Sequence, residues 1–419
     1  MTSKKIRYAV CSLIILAFLA ISGVLFFVVD MISTKNGIYS SLKDNHCDFL
    51  ISDSFVSDGG LIETQNYKVF LAGEVKGTQK NYDVRLAFIK LLNQRAGMNQ
   101  YLSMLSPSVC IYLNEYLDTG DESNLEKAFS LLPSNHPENN VEHYEFWHKF
   151  YAFNSGLPDY KKISVTGLGG EVSDASTKEA FIIIKNIIAD VQTDDESLLL
   201  NFKKISETDE NRLTASTLLS LFTDLKNDLK LKEAALRLAL SDDFFIYASL
   251  VESVYSSVNM NFLDSINETQ KNDRMEMSSY QIFQYLYAEN KNDVFFGQTA
   301  IKHALQAASD SEKISYPLAR QINESTQLKH KVCSLFFTYR DSYAAGTTQQ
   351  YSYRISQSMY EKEFNVFAEE NQSCVLFKID EDDSIFKKQA MIVTGASKCT
   401  ADYFQYVLLI NNSQAVTYR

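Results

Sequence analysis

The chemically promising residues of this chain are few and far apart: a glutamate, a lysine, an arginine and a histidine. Glu74 stands in Gly73-Glu-Val-Lys-Gly77, directly after the apolar run Tyr67-Lys-Val-Phe-Leu-Ala72. A short apolar run ending at glycine suits a buried strand. A carboxylate at the exit of such a strand is poorly solvated and can act as a general base or orient one. It can equally cap the next helix, whose N-terminal dipole favours negative charge. Lys76, two residues on, could pair with Glu74; a lysine in such a turn is otherwise simply solvated. Arg85 lies on the first turns of the following helix. It could reach back to the same mouth, or face solvent like most arginines. His303, in Phe296-Gly-Gln-Thr-Ala-Ile-Lys-His303, follows shortly after another strand candidate. Imidazole can exchange protons near neutral pH, but a lone His is more often structural.

Other chemistries lack the residues they need. His136, His143 and His148 are spaced by seven and five, which does not put them on one helical face, and no HExxH occurs. Gly167-Leu-Gly169-Gly170 breaks the GxGxxG spacing, because Ser173 stands near the last glycine position. Neither GxxxxGK[ST] nor GxSxG is present. The net charge is −12, which repels phosphates and argues against nucleic-acid partners. The sequence calls for no cofactor.

The elements that must position these residues form an alternating pattern. Val84, Ala87, Phe88, Leu91 and Leu92 mark one face of a helix over 81–94. Further strands are expected at 98–105, 162–168, 293–297, 331–339, 373–379 and 403–410, and further helices at 121–131 and 141–154. Residues 175–290 contain no proline and almost no glycine. They read as four or five helices, with a long one over about 210–239. Strands alternating with helices give an α/β fold with a mostly parallel sheet, here carrying a helical insertion. Ligands of such sheets bind beyond the carboxyl ends of the strands. That singles out Gly73–Gly77, Ser103–Met104, Gly167–Glu171 and Gly297–His303.

Ala9 to Val29 contains no charge, and a helix of that length spans roughly 31 Å, the thickness of a bilayer's hydrocarbon core. Lys4, Lys5 and Arg7 precede it, which favours a cytoplasmic N-terminus. The large residues of Phe26-Phe-Val-Val-Asp-Met-Ile-Ser33 do not suit signal-peptide cleavage, so an uncleaved anchor is expected. The expected organisation is a cytoplasmic tail (1–8), a single membrane span (9–29), a stalk (30–60) and an extracytoplasmic domain (61–419). Outside the span lie Cys47, Cys110, Cys333, Cys374 and Cys399, an odd number. A Cys374–Cys399 disulfide is conceivable; small buried hydrophobes are the simpler reading.

Together these features resemble the erythromycin esterase-like family. The likeness starts at Tyr67-Lys-Val-Phe-Leu-Ala-Gly-Glu-Val-Lys-Gly-Thr78, where the family has a strand and a Gly-Glu…His-Gly turn. It continues through Tyr112-Leu-Asn-Glu-Tyr-Leu-Asp-Thr-Gly-Asp121, Phe146-Trp-His…Asn154-Ser-Gly-Leu157, Arg274…Met277…Tyr280 and Phe296-Gly-Gln…His303. The resemblance implies an α/β body with a helical insertion over a cleft, and hydrolysis of a macrolide lactone by an activated water. It matches Glu74, Arg85 and His303 to the family's first Glu, its Arg and its later His. It also places Lys76 where the base His belongs and Met104 where a second Glu belongs. Gly169 stands in place of an Asp, and Tyr280 in place of an Asn. Lysine is a poor base at neutral pH, and losing a general base costs about 10²–10⁴-fold in rate. Three functions follow from the resemblance: a membrane-anchored protein whose old cleft binds a small molecule or protein without turnover; an altered but active ester or lactone hydrolase; or a haem or metal binder using His303 and Met104, since distant relatives bind haem.

Overall fold

The computed structural model describes residues 20–24, 28–52, 56–260, 266–346, 351–369, 374–393, 396 and 398–419. Its main sheet has eight strands: β1 His46–Asp48, β2 Val69–Glu74, β3 Gln100–Ser103, β4 Ser164–Gly167, β5 Phe295–Ala300, β6 Val332–Arg340, β7 Cys374–Lys378 and β8 Tyr406–Asn411. Their order is β1-β7-β8-β6-β2-β5-β3-β4. Every pairing from β8 to β4 is parallel, and β7 runs antiparallel to both β8 and β1. The α/β fold with a mostly parallel sheet is therefore the observed one.

All six residues of β2 are buried, because helices cover both faces of the sheet. Successive side chains alternate between two cores. Phe70 and Ala72 join one with Phe88 and Trp147; Val69 and Leu71 join the other with Phe283 and Phe295. By the same alternation Glu74 falls on the side of Phe70, facing α2 (Lys80–Ala96), which is packed through Val84, Ala87 and Phe88.

Among the described residues, 174–289 form six helices: α6 Asp174–Ile188, α7 Glu196–Glu207, α8 Ala215–Leu231, α9 Glu233–Leu240, α10 Phe244–Met260 and α11 Glu268–Glu289. They bury a third core of their own, including Phe181, Phe222 and Tyr247. The expected long helix over 210–239 is two helices instead. The chain leaves helical geometry at Lys232 (φ −133°, ψ 27°), whose ammonium is tied to Asp195 at 2.9 Å, just ahead of α7. That contact between separate segments has no sequence periodicity to announce it.

The N-terminal region also departs from expectation. A helix, α1 Ala20–Leu42, is long and apolar enough to cross a membrane. Residues 9–19 and 25–27 of the expected span lie outside the described residues. Residues 30–60 were expected to be a stalk; their described residues pack on the domain. Thr34, Ile38 and Leu42, spaced by one helical turn, are all buried. Lys35 pairs with Glu363 at 2.6 Å, Tyr39 stacks on Phe367, and β1 closes one edge of the sheet. The five cysteines outside the span are all free, so the Cys374–Cys399 bridge is not formed; Cys110, Cys333 and Cys374 are buried.

Candidate functional site

The carboxyl ends of β2, β3, β4 and β5 meet at one edge of the sheet, as a parallel arrangement requires. Two sites of different character are built there: a largely buried charge network and an open cavity.

The network starts at Glu74. Arg85, one turn into α2, donates to Glu74 at 3.1 Å and to Glu138 at 3.3 Å. Gln298, on the neighbouring strand, donates to the other Glu74 oxygen at 2.5 Å. Lys76 does not pair with Glu74 as expected; its ammonium goes to Glu138 at 2.8 Å. Gly77 closes the same turn. Its backbone is left-handed (φ 87°), and a β-carbon there would press on the Ala345 main chain. Two carboxylates and two cations thus balance. Glu74, Arg85 and Glu138 are each less than a tenth exposed. Burial pushes the Glu74 carboxyl upward, and Arg85 offsets only part of that. Burial acts the same way on Glu138, but Lys76 and Arg85 overcome it and hold that carboxyl well below the usual range.

A third layer backs the network. Tyr82 donates to Glu138 at 3.2 Å. His143, on α5 (Val141–Ser155), contacts the Glu138 main-chain oxygen at 2.7 Å through Nδ1, and Trp147 donates to its Nε2 at 3.0 Å. With Nε2 accepting, Nδ1 carries the proton. Burial drives His143 down to about 4, so it is neutral at pH 7. Sequence pattern alone does not single out Glu138 or give His143 a role. The signals were faint: a glutamate in a polar loop, and a His–Trp pair at i, i+4.

The cavity measures about 800 Å³ and lies between the sheet edge and the helical insertion. His303, Met104 and Gly169 line it; among the described residues Glu74, Lys76 and Arg85 do not. Gly169 explains one departure from the family pattern. A β-carbon at that position would overlap the Met104 carbonyl oxygen, so no side chain can stand there. Tyr280 packs against the second core and is absent from the cavity wall.

His303 sits in the short helix α12 (Ile301–Ala304) and is buried to 6% exposure. Its Nδ1 meets Glu276 of α11, and the other Glu276 oxygen accepts the Leu318 N–H at 2.7 Å. Glu276 was also missed. It shares a helix face with Ser279 and Phe283, and a carboxylate on an otherwise buried face signals a concealed partner. His136 lines the cavity as well, with Nδ1 accepting the Glu138 N–H at 3.2 Å. Burial, reinforced by Lys76, lowers His136 to about 4. Glu171 completes the polar wall. Ser108 and Ser253 donate to it at 2.6 and 3.1 Å, and burial raises its carboxyl despite them. Among the described residues no group of three or more His, Cys, Asp or Glu is placed to hold a metal.

Comparison with known proteins identifies the fold class. No protein-family profile matches the chain, and no curated protein sequence does. Solved structures do match. A Bacillus cereus protein superposes with a TM-score of 0.66 at 10% identity, covering 92% of this chain and 99% of its own. A succinoglycan biosynthesis protein gives 0.66 at 13% identity, with the same coverage. A mutant of the erythromycin esterase EreC in its open conformation gives 0.62 at 14% identity, covering 89% of this chain and 98% of its own. The fold is therefore erythromycin esterase-like.

Proposed function

We propose that this is a membrane-anchored, extracytoplasmic protein of hydrolase ancestry that binds a small-molecule ligand in its cavity, with the ancestral ester-cleaving route through Glu74 shut. One observation carries this reading. Both Glu74 oxygens are engaged by Arg85 and Gln298 inside a balanced, buried charge network, while the cavity is lined by other residues. Buried and held at both oxygens, Glu74 is kept from water, and Lys76, itself paired, replaces the expected base. The likeness to an erythromycin esterase supports the ancestry through its fold. The apolar helix α1 supports the anchor by its length and composition.

The alternative, an active ester or lactone hydrolase with an altered site, draws on His303 retaining both a cavity position and a carboxylate partner. A panel of simple esters and erythromycin, tested on the full chain in detergent, separates the two. The expected result is no hydrolysis above background, unchanged by Glu74→Gln. Wild-type turnover abolished by Glu74→Gln would establish the hydrolase instead.

A further inference from the structure

The direction in which α1 meets the domain decides which side of the domain is turned toward the membrane. Only residues 43–45 separate α1 from β1, so helix and strand are antiparallel neighbours. Their connection lies at the amino edge of the sheet. The Lys378 N–H donates to the Asn45 carbonyl at 2.9 Å, and Lys378 pairs with Tyr406, the first residue of β8. From that edge α1 climbs the sheet face toward its own N-terminus, with Ile38 and Leu42 in the core that holds Val375 and Phe377 of β7. Higher up, Lys35 pairs with Glu363 of the segment Glu361–Phe367. That segment sits at the carboxyl end of β6: Glu361 accepts from Thr338 at 3.0 Å, and the Asn365 carbonyl accepts from Arg340 at 3.4 Å. Val29, where the apolar segment ends, lies about 20 Å along the helix from Leu42. A strand of six residues, such as β8, is about as long. The apolar segment therefore ends level with the carboxyl ends of the strands, which is the edge where the cavity lies.

The loops past that edge are dressed for such a position. Tyr343, Tyr351 and Tyr353 are exposed around the two short antiparallel strands Tyr343–Ala345 and Ser352–Arg354 that follow β6. Met277, on the N-terminal half of α11, and Tyr316, whose N–H is held by Asp273 of the same helix, are exposed as well. Tyrosine rings with a polar tip favour the bilayer interface, and the headgroup layer extends about 5–7 Å beyond the hydrocarbon core. Val172 and Met275 belong to this exposed rim and also line the cavity, so the cavity mouth is continuous with it.

We propose that the carboxyl edge of the sheet rests on the bilayer and that the cavity takes an amphiphile from it. The ligand's polar head enters among Glu171, Lys178 and Ser257, against the apolar wall of Leu213 and Val258, and its hydrocarbon chain stays in the lipid. This rests on the membrane-anchored, ligand-binding reading above and adds the ligand's source and class. The net charge of −12 disfavours an anionic surface, so the contact is apolar and suits a zwitterionic bilayer.

The test places one new tryptophan at a time in the full chain, reconstituted in phosphatidylcholine vesicles whose acyl chains are brominated near the headgroup. Trp147, the only native tryptophan, is fully buried and supplies a background measured on wild type. Val172→Trp and Met275→Trp probe the cavity mouth from two separate elements, and Tyr353→Trp probes the rim. Tyr160→Trp is the control, because Asp159–Lys161 precedes β4 at the amino edge. The first three should lose emission relative to unbrominated vesicles, and Tyr160→Trp should not. Brominated lysophosphatidylcholine added to unbrominated vesicles should then quench the two mouth tryptophans saturably. Quenching of Tyr160→Trp to the same extent, or of none of the four, overturns the orientation while leaving the chain anchored. Quenching at Tyr353→Trp alone, or mouth quenching that only rises in proportion to the brominated lipid, overturns the lipid-fed cavity. A chain that fails to float with the vesicles after a high-salt wash removes the anchoring reading itself, and this one with it.

Discussion

Replacing Arg85 with methionine should cost about 3–5 kcal/mol of stability at pH 7, the range seen when one member of a buried ion pair is removed. Arg85 is 3% exposed and is shared by Glu74 and Glu138. Methionine fills much of its volume, so the effect isolates the charge. Without the guanidinium, two buried carboxylates are left with Lys76 alone, and Lys76 touches only Glu138. The measurement is the urea midpoint followed by fluorescence of Trp147. It is the chain's single tryptophan, fully buried and bonded to His143 beside the network. Adding Glu74→Gln to Arg85→Met should recover part of the loss, because the remaining Glu138–Lys76 pair is then balanced. The singles and the double form a cycle whose coupling reads the Arg85–Glu74 interaction. A midpoint for Arg85→Met within about 1 kcal/mol of wild type would show that the network is solvated and that Glu74 is not sealed.

The second large effect is acid lability set by histidines rather than carboxylates. His143 titrates at about 4 in the folded protein, and an unfolded chain's His titrates near 6.5. Between these values the unfolded state binds the extra proton, so stability rises with pH across the window. The folded state is at full advantage above about pH 6.5 and loses it as pH falls toward 4. That amounts to about 3 kcal/mol for the one residue. His136, also lowered to about 4, acts in the same direction. Glu138 behaves as an ordinary paired carboxylate. Its folded pKa is depressed, so its contribution persists above the usual carboxylate range and is lost only at lower pH. The two histidines should therefore lower the urea midpoint as pH falls from 6.5 to 4, partly offset by Glu74 and Glu171, whose raised carboxyls act in the opposite sense. His143→Gln should make that slope shallower by one proton, about 1.4 kcal/mol per pH unit. An unchanged slope would mean that His143 is protonated in the folded state, and that the Trp147 contact does not fix its tautomer.

Period and punctuation made the secondary elements readable. β2 was visible as an apolar run closed by glycine, and α2 as the stripe Val84, Ala87, Phe88, Leu91, Leu92. Burial on both faces of a parallel sheet and on one face of a helix leaves those patterns in the residues themselves. β1 was not readable, because three residues at a sheet edge carry no period. The break at Lys232 was invisible for a related reason: a distant aspartate accompanies it.

The chain alone thus determined an α/β class, a helical insertion, an apolar N-terminal segment, and that Glu74 and His303 stand at strand exits. Only the tertiary structure decided what those residues do with each other. Local pattern records which way a side chain faces; it does not record which side chain from elsewhere meets it. Glu74 and His303 leave adjacent strands, yet β2 sends Glu74 into a shielded ion cluster while α12 turns His303 toward open space. The partners that settle their chemistry, Glu138 and Glu276, lie 64 and 27 residues away along the chain. Proximity across such separations is created by packing of the whole sheet and its helices.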